Sequence, residues 1–307
     1  MNIRLTLFAC VASALCAMPG TIPAQIFVTN FKTGTIGEYT TSGATMNPAL
    51  ISGLNGPEGI AVSGGNLFVT SFNLTGDTGR IGEYTTSGVA VNHARITTLG
   101  RPYGIAVSGS GLFVAISNVT SESSRIGKFS TSGATVNRDL IPGLSIPSDV
   151  AVSGDSLFVV DWGNGRIGKY TTSGASVNAA LVSGLVSPVG IAVSGGNLFV
   201  ADSVTGTIGE YNATTGAIVD ADLISGLNGP SGIAVSGENL FVTNFQTGTI
   251  GQYTISGETV NASLISGLNQ PTDIVVVSGS VAEASSTWAL LLLAVTATFG
   301  LKPLLRS

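Results

Sequence analysis

Charge is what this sequence has least of: 9% of its 307 residues are Asp, Glu, Lys or Arg, where an ordinary soluble domain has about 25%. Solubility must rest on hydroxyls, amides and exposed backbone. Cysteine is nearly missing too. Cys10 and Cys16 both lie in the first 24 residues, so no disulfide, zinc thiolate or cysteine nucleophile is available to the remainder. Histidine occurs once, as His93, which removes the commonest general acid and base from most candidate sites. Between residues 25 and 280, nine basic residues stand against sixteen acidic ones, with no basic cluster. Nucleic acid is therefore excluded as an expected partner, because phosphate neutralisation dominates that affinity. A sustained 3.6-residue apolar period is also absent, which argues against helical repeats.

The two ends differ in character from the middle. Residues 1–24 combine one basic residue, Arg4, with the apolar run "LTLFACVASALCAM" and the segment "PGTIPAQ". That is the pattern of a secretory signal peptide. Residues 281–307 contain an apolar stretch at 288–301 followed by Lys302 and Arg306. Fourteen residues fall short of the roughly 17 to 25 a spanning helix needs. Such a tail resembles the bacterial PEP-CTERM sorting signal, with Ala282-Glu283-Ala284 in the place of Pro-Glu-Pro. The resemblance implies export, transient membrane anchoring through residues 288–305, and a membrane-bound sorting enzyme as a partner. An ordinary C-terminal anchor is the alternative.

What is present in abundance is repetition. "TGTIGEYTTSGATMNPALISGLNGP" near the start returns as "TGTIGQYTISGETVNASLISGLNQP" near the end. An aliphatic-Phe-Val triplet occurs six times, at Ile26, Leu67, Leu112, Leu157, Leu198 and Leu240, with successive spacings of 41, 45, 45, 41 and 42 residues. A second marker of the "PEGIAVS" type accompanies it six times. Each unit holds four short segments bounded by Gly, Ser, Thr, Asn and Pro, and the first two are joined by hairpin turns such as "SGGN".

Four strands in 41 to 45 residues, six times over, predict an all-β, six-bladed β-propeller with four-stranded antiparallel blades across residues 25–280. The "LFV" strands are apolar at consecutive positions because neighbouring blades cover both faces. The "GIAVS" strands are small because they converge on the axis. The mature sequence opens on a second-strand element, "IFVTN", and its last repeat ends on a first-strand element, "DIVVVSG". Asp273–Val277 is thus expected to pair beside Ile26–Asn30, closing the ring with both ends of the chain.

The pattern P-x-G-I-A-V-S-G-x-N-L-F-V-A-D-x-x-x-G-x-I-G-x-Y resembles the NHL repeat and related six-bladed propellers, including lactonases and the streptogramin lyases. Loops entering the first strands and leaving the second strands emerge on one face of such a ring. The candidate ligand-binding residues around that mouth are Glu58, Tyr103, Asp149 and Asp273 on entering loops. Those on leaving loops are Asn30, Asp161, Trp162, Asp202 and Asn244, with Phe31, Phe72 and Phe245 beside them.

Three readings follow from these residues. The mouth binds an extracellular polysaccharide or protein without catalysis, through amides and aromatic stacking, with no cofactor. Alternatively, Glu58, Asp149, Asp161, Asp202 and Asp273 supply oxygen ligands for calcium or magnesium in a lactonase- or lyase-like enzyme. A resemblance to the streptogramin lyases implies a catalytic His at the mouth, whereas the repeat places His93 in an outer strand, and no catalytic residue is assigned. Third, the propeller is a structural spacer. Arg80, Arg125 and Arg166, which recur at the start of the third strand, are expected to be solvated edge charges. The longer loops "FNLTGDTGR" and "ISNVTSESSR" are expected either to raise a lip on the mouth or simply to have drifted.

Overall fold

A computed structural model of the chain describes residues 23–73, 78–118 and 124–279. Most of the expected signal segment, the expected sorting segment and the tips of the two longer loops lie outside these residues. Among them, no helix is long and apolar enough to cross a membrane. A compact unit spans Ala24–Ser278.

The described residues form twenty-four strands, β1 to β24 in chain order, in six four-stranded antiparallel sheets. The innermost strands are β4 (Pro57–Ser63), β8 (Arg101–Ser108), β12 (Pro147–Ser153), β16 (Pro188–Ser194), β20 (Pro230–Ser236) and β24 (Pro271–Val277). Each packs against the next, and β24 meets β4, so the ring is closed. Closure uses both chain ends: β24 pairs with β1 (Gln25–Asn30), in register from Gln25 opposite Val277 to Val28 opposite Ile274. At that seam the hydroxyls of Thr29 and Thr272 share a hydrogen bond at 2.8 Å, and Thr272 also donates to the Glu58 carbonyl of the neighbouring blade.

The second strand of each blade is buried on both faces, as the unbroken apolar triplets require. Phe27, Phe68, Phe113, Phe158, Phe199 and Phe241 are all essentially inaccessible. Each inter-blade layer gathers residues from two sheets; one contains Phe27, Ile36, Leu67, Val69 and Tyr84. The I-G-x-Y motif of the third strand has a packing cause. In five blades a Tyr ring folds back over the glycine two residues before it, so that a Cβ on Gly251 would lie 2.6 Å from the Tyr253 hydroxyl oxygen.

The fourth strands form the rim and leave their outer edges unpaired. At the third residue of each of these strands, Asn47, Asn92, Asn137, Asn178, Asp220 and Asn261 accept a hydrogen bond from the backbone N–H two residues on. A side chain thereby occupies an N–H that another chain's strand could otherwise claim. This blunts edge-to-edge association despite the low charge.

One expectation is overturned. Arg125 is not a solvated edge charge; it is 2% exposed and its Nε lies 3.2 Å from Asp139 of β11 (Thr135–Leu144). Its strand, β10 (Ser124–Ser130), is covered by that long fourth strand, and the local pairing with an acid permits burial of the guanidinium. Arg166 also pairs, with Asp161 at 2.9 Å.

Candidate functional site at the channel mouth

The six inner strands approach so closely at one level that the channel narrows to a neck made by Gly59, Gly104, Asp149, Gly190, Gly232 and Asp273. A Cβ on Gly190 would overlap the Ser231 carbonyl oxygen, and one on Gly232 would sit 2.6 Å from the Cα of Asp273. Glycine is required by close backbone approach, not by dihedral freedom. The two positions that are not glycine lie three blades apart, on opposite sides of the axis.

Both aspartates are held identically. Asp149 accepts hydrogen bonds from its own neighbour Val150 N–H at 2.8 Å and from Ile191 N–H of the next blade at 2.9 Å. Asp273 does the same with Ile274 and Ile60, at 2.8 and 2.9 Å. Burial pushes both carboxyls above the ordinary range, and the charge of Asp273 raises Asp149 further, against the lowering by the backbone donors.

Glu58 sits one residue before the neck. Burial, reinforced by the charge of Asp273, raises its pKa to about 8. No described residue hydrogen-bonds to its carboxylate; its contacts with Thr29 and Thr272 go through the main-chain carbonyl. Solvent in the channel reaches the carboxyl, so its surface is half-buried although protein surrounds it.

Above these acids opens a cavity of about 510 Å³. Its wall includes the rings of Phe31, Tyr103, Trp162 and Phe245, and its lining contains no Lys, Arg or His. Trp162 stands 41% exposed, with its indole N–H donated to the Ser187 hydroxyl at 2.8 Å, so the ring is fixed rather than loose. Tyr103 packs at 5.6 Å from Phe72, which in turn meets Phe31 at 6.3 Å. An apolar rim over an acidic floor suits a ligand of drug-like size with one polar or charged end.

Of the sequence-expected mouth residues, Glu58, Tyr103, Asp149, Trp162 and Asp273 come together on this cavity. Asn30, Asp161, Asp202 and Asn244 do not. They end the second strands and are buried behind the wall. Asp161 accepts from Ser145 N–H and Asn164 Nδ2, and receives Arg166. Asp202 takes four backbone N–H donors, from Val186, Ser187, Val204 and Thr205. Burial penalises its charge, yet the four donors outweigh that and hold its pKa below the usual value. These are loop-organising carboxylates. Of the pairs Asn30-Phe31 and Asn244-Phe245 expected on the leaving loops, only the phenylalanines line the cavity, since adjacent strand residues point to opposite sides.

The carboxylates fit a divalent ion poorly. Among the described residues no group of three or more His, Cys, Asp or Glu is arranged to hold a metal ion, and the neck aspartates already spend their oxygens on backbone N–H groups.

The raised acid makes a measurable prediction. Folding raises Glu58 from 4.5 to about 8, so between those values the folded protein holds a proton that the unfolded chain releases, and stability falls as pH rises through that window. With allowance for channel water, the loss attributable to Glu58 between pH 5 and 8 is about 2 kcal/mol. Denaturant unfolding of Glu58→Gln should show a correspondingly smaller pH dependence. An unchanged difference between the two pH values would remove Glu58 as its source.

Fold and cavity together define a six-bladed propeller with a ligand-sized pocket at one channel mouth. The sequence profile of the Virginiamycin B lyase family matches residues 12–290, and the chain belongs to that family. Among solved structures, it is similar to a nidogen/laminin complex at TM-score 0.67 and 17% identity, covering 82% of this chain and 98% of that one. It is similar to a streptogramin B lyase at TM-score 0.59 and 21% identity, covering 84% and 87%. A catalytically inactive His-to-Ala variant of virginiamycin B lyase from Staphylococcus aureus with quinupristin gives TM-score 0.55 and 20% identity, covering 81% and 86%. At such identities the likeness is one of fold. No curated protein matches the chain.

Proposed function

We propose that this chain is an exported, surface-held propeller that binds its ligand at the channel mouth without transforming it, the ligand being a segment of extracellular polysaccharide or protein. The observation that carries the reading is the composition of the mouth: aromatic rings around a carboxylic floor, with no imidazole in the lining. His93, the chain's single histidine, is exposed on the outer strand β7 (Ala90–Leu99), with its ring 5.7 Å from that of Tyr84. The similar Staphylococcus aureus enzyme is described as inactive when one His is replaced by Ala. Export and sorting rest on the character of residues 1–24 and 281–307.

One observation favours a second reading, a lyase-like enzyme within the same family. Glu58 is a carboxylic acid with a pKa of about 8 facing the cavity, which is the tuning a general base needs near neutral pH when histidine is lacking. Such a base would take a proton from a carbon next to a carbonyl; the electron pair left behind would form a C=C bond to the adjacent carbon, whose ester oxygen leaves as a carboxylate.

Two assays on one preparation distinguish these readings. Saturable retention on a matrix polysaccharide or protein, weakened by Trp162→Ala, with no product from quinupristin or virginiamycin B, the compounds named for the similar proteins, is the expected result. Product that disappears in Glu58→Gln would replace the binding reading with the catalytic one.

A further inference from the structure

We propose that the mouth selects a ligand carrying a protonated amine, whose positive charge is seated among Glu58, Asp273 and Asp149 beneath the rings of Phe31, Tyr103, Trp162 and Phe245. This rests on the binding reading above and names the chemistry of its ligand. Three acids face one small channel segment with no basic lining residue to offset them. The carboxylate of Glu58 has no hydrogen-bond partner among the described residues, while both neck aspartates are fixed by backbone donors and cannot swing away. Arg101 is engaged with the Tyr103 side chain at the edge of the mouth, and the lining itself offers the three acids no cation. Aromatic faces add attraction of their own for an ammonium, strongest where water is excluded. A metal ion is the weaker candidate because the described acids are not arranged to hold one. An amine, by contrast, needs only acceptors near three N–H donors.

The groups facing Glu58 are Asp273 and Tyr103, with Arg101 acting on Tyr103, and Asp149 reaching the same channel through Asp273. At neutral pH Glu58 holds its proton in the empty site. Seating an ammonium favours the carboxylate, so the proton passes to the buffer as the ion pair forms. Binding of an amine should therefore release protons, and binding of a neutral analogue should not.

The test uses the full chain and two oligosaccharide probes of equal length, a glucosamine tetramer and its N-acetylated counterpart, which differ in charge on the same sugar frame. Calorimetry at pH 6, where the sugar amines are largely charged and Glu58 still holds its proton, in two buffers of different ionisation enthalpy is expected to show at least tenfold tighter binding of the glucosamine tetramer, with proton release. Glu58→Gln should reduce the affinity for the amine about tenfold and lower that release, leaving only the share of the neck aspartates. It should leave any affinity for the acetylated probe unchanged. Because the Glu58 carboxylate makes no hydrogen bond to the described protein, the variant is expected to fold. Equal binding of the two probes, or amine binding that Glu58→Gln does not alter, overturns the cation reading while leaving a binding mouth. Failure of both sugars and of 1,5-diaminopentane overturns the cation reading; if no matrix polysaccharide or protein is retained either, the binding reading falls as well. Competition by calcium at micromolar concentration would assign the acids to a metal instead.

Discussion

A chain that stops at Asn269 should lose its cooperative thermal unfolding. The missing segment contains β24, which supplies the inner strand of the first blade and the only ladder partner on that side of β1. Removing it uncovers Ile26 and Val28, which are wholly buried, and deletes Ile274 from the layer they share. At about 1.5 to 3 kcal/mol for each buried aliphatic side chain, the apolar loss alone is on the order of 5 kcal/mol. The hydroxyl bonds of Thr272 to Thr29 and to the Glu58 carbonyl go with it. Stability of a domain is only about 5–15 kcal/mol in total, so the shortened protein should melt broadly and be cut rapidly by protease. Adding residues 270–279 as a peptide should partly restore protection. A sharp transition within a few degrees of the intact chain would show that the ring does not depend on its seam.

Gly190→Ala should be severely damaging for a single added methyl. Its Cβ would overlap the carbonyl oxygen of Ser231 and crowd the Cα of Gly232 at 3.4 Å. Both obstacles are backbone of the next inner strand, so no side-chain rotation relieves them, and two blades must separate at the neck. Overpacking of this kind costs about 3 kcal/mol or more, or roughly 6–12 °C for a domain of this size. Gly195→Ala is the control. That glycine also resists substitution, because its φ is 58°, but a Cβ there meets nothing within 4 Å. Its cost should be limited to dihedral strain of about 1 kcal/mol. Comparable melting temperatures for the two variants would refute a closed neck.

Architecture was legible because it is written six times. Periodicity, hairpin glycines and the doubly buried triplet each point to four-stranded wedges, and the half-units at either end of the repeat region can only be completed by each other. The site was half legible. Repeat alignment located the residues that surround the mouth, but not which way their side chains turn. Asp149 and Asp161 look equivalent in a sequence, yet one faces the channel and the other is drawn into its own loop by Ser145 and Ile146 N–H groups. Asn30 and Asn244 point away from the cavity that the phenylalanines after them line. Arg125 reads as an exposed strand charge until the long fourth strand over it, with Asp139, is placed.

By itself the sequence determined the fold, the number of blades and the seam, because each depends on local patterns and on counting. It also determined that no imidazole is available at the mouth. Only the tertiary structure decided that Glu58, Asp149 and Asp273, whose positions span more than 200 residues of chain, share one channel, where the charge of Asp273 raises the proton affinity of the other two. Coulombic coupling and desolvation depend on distance and burial in space. Neither quantity is encoded at any single position.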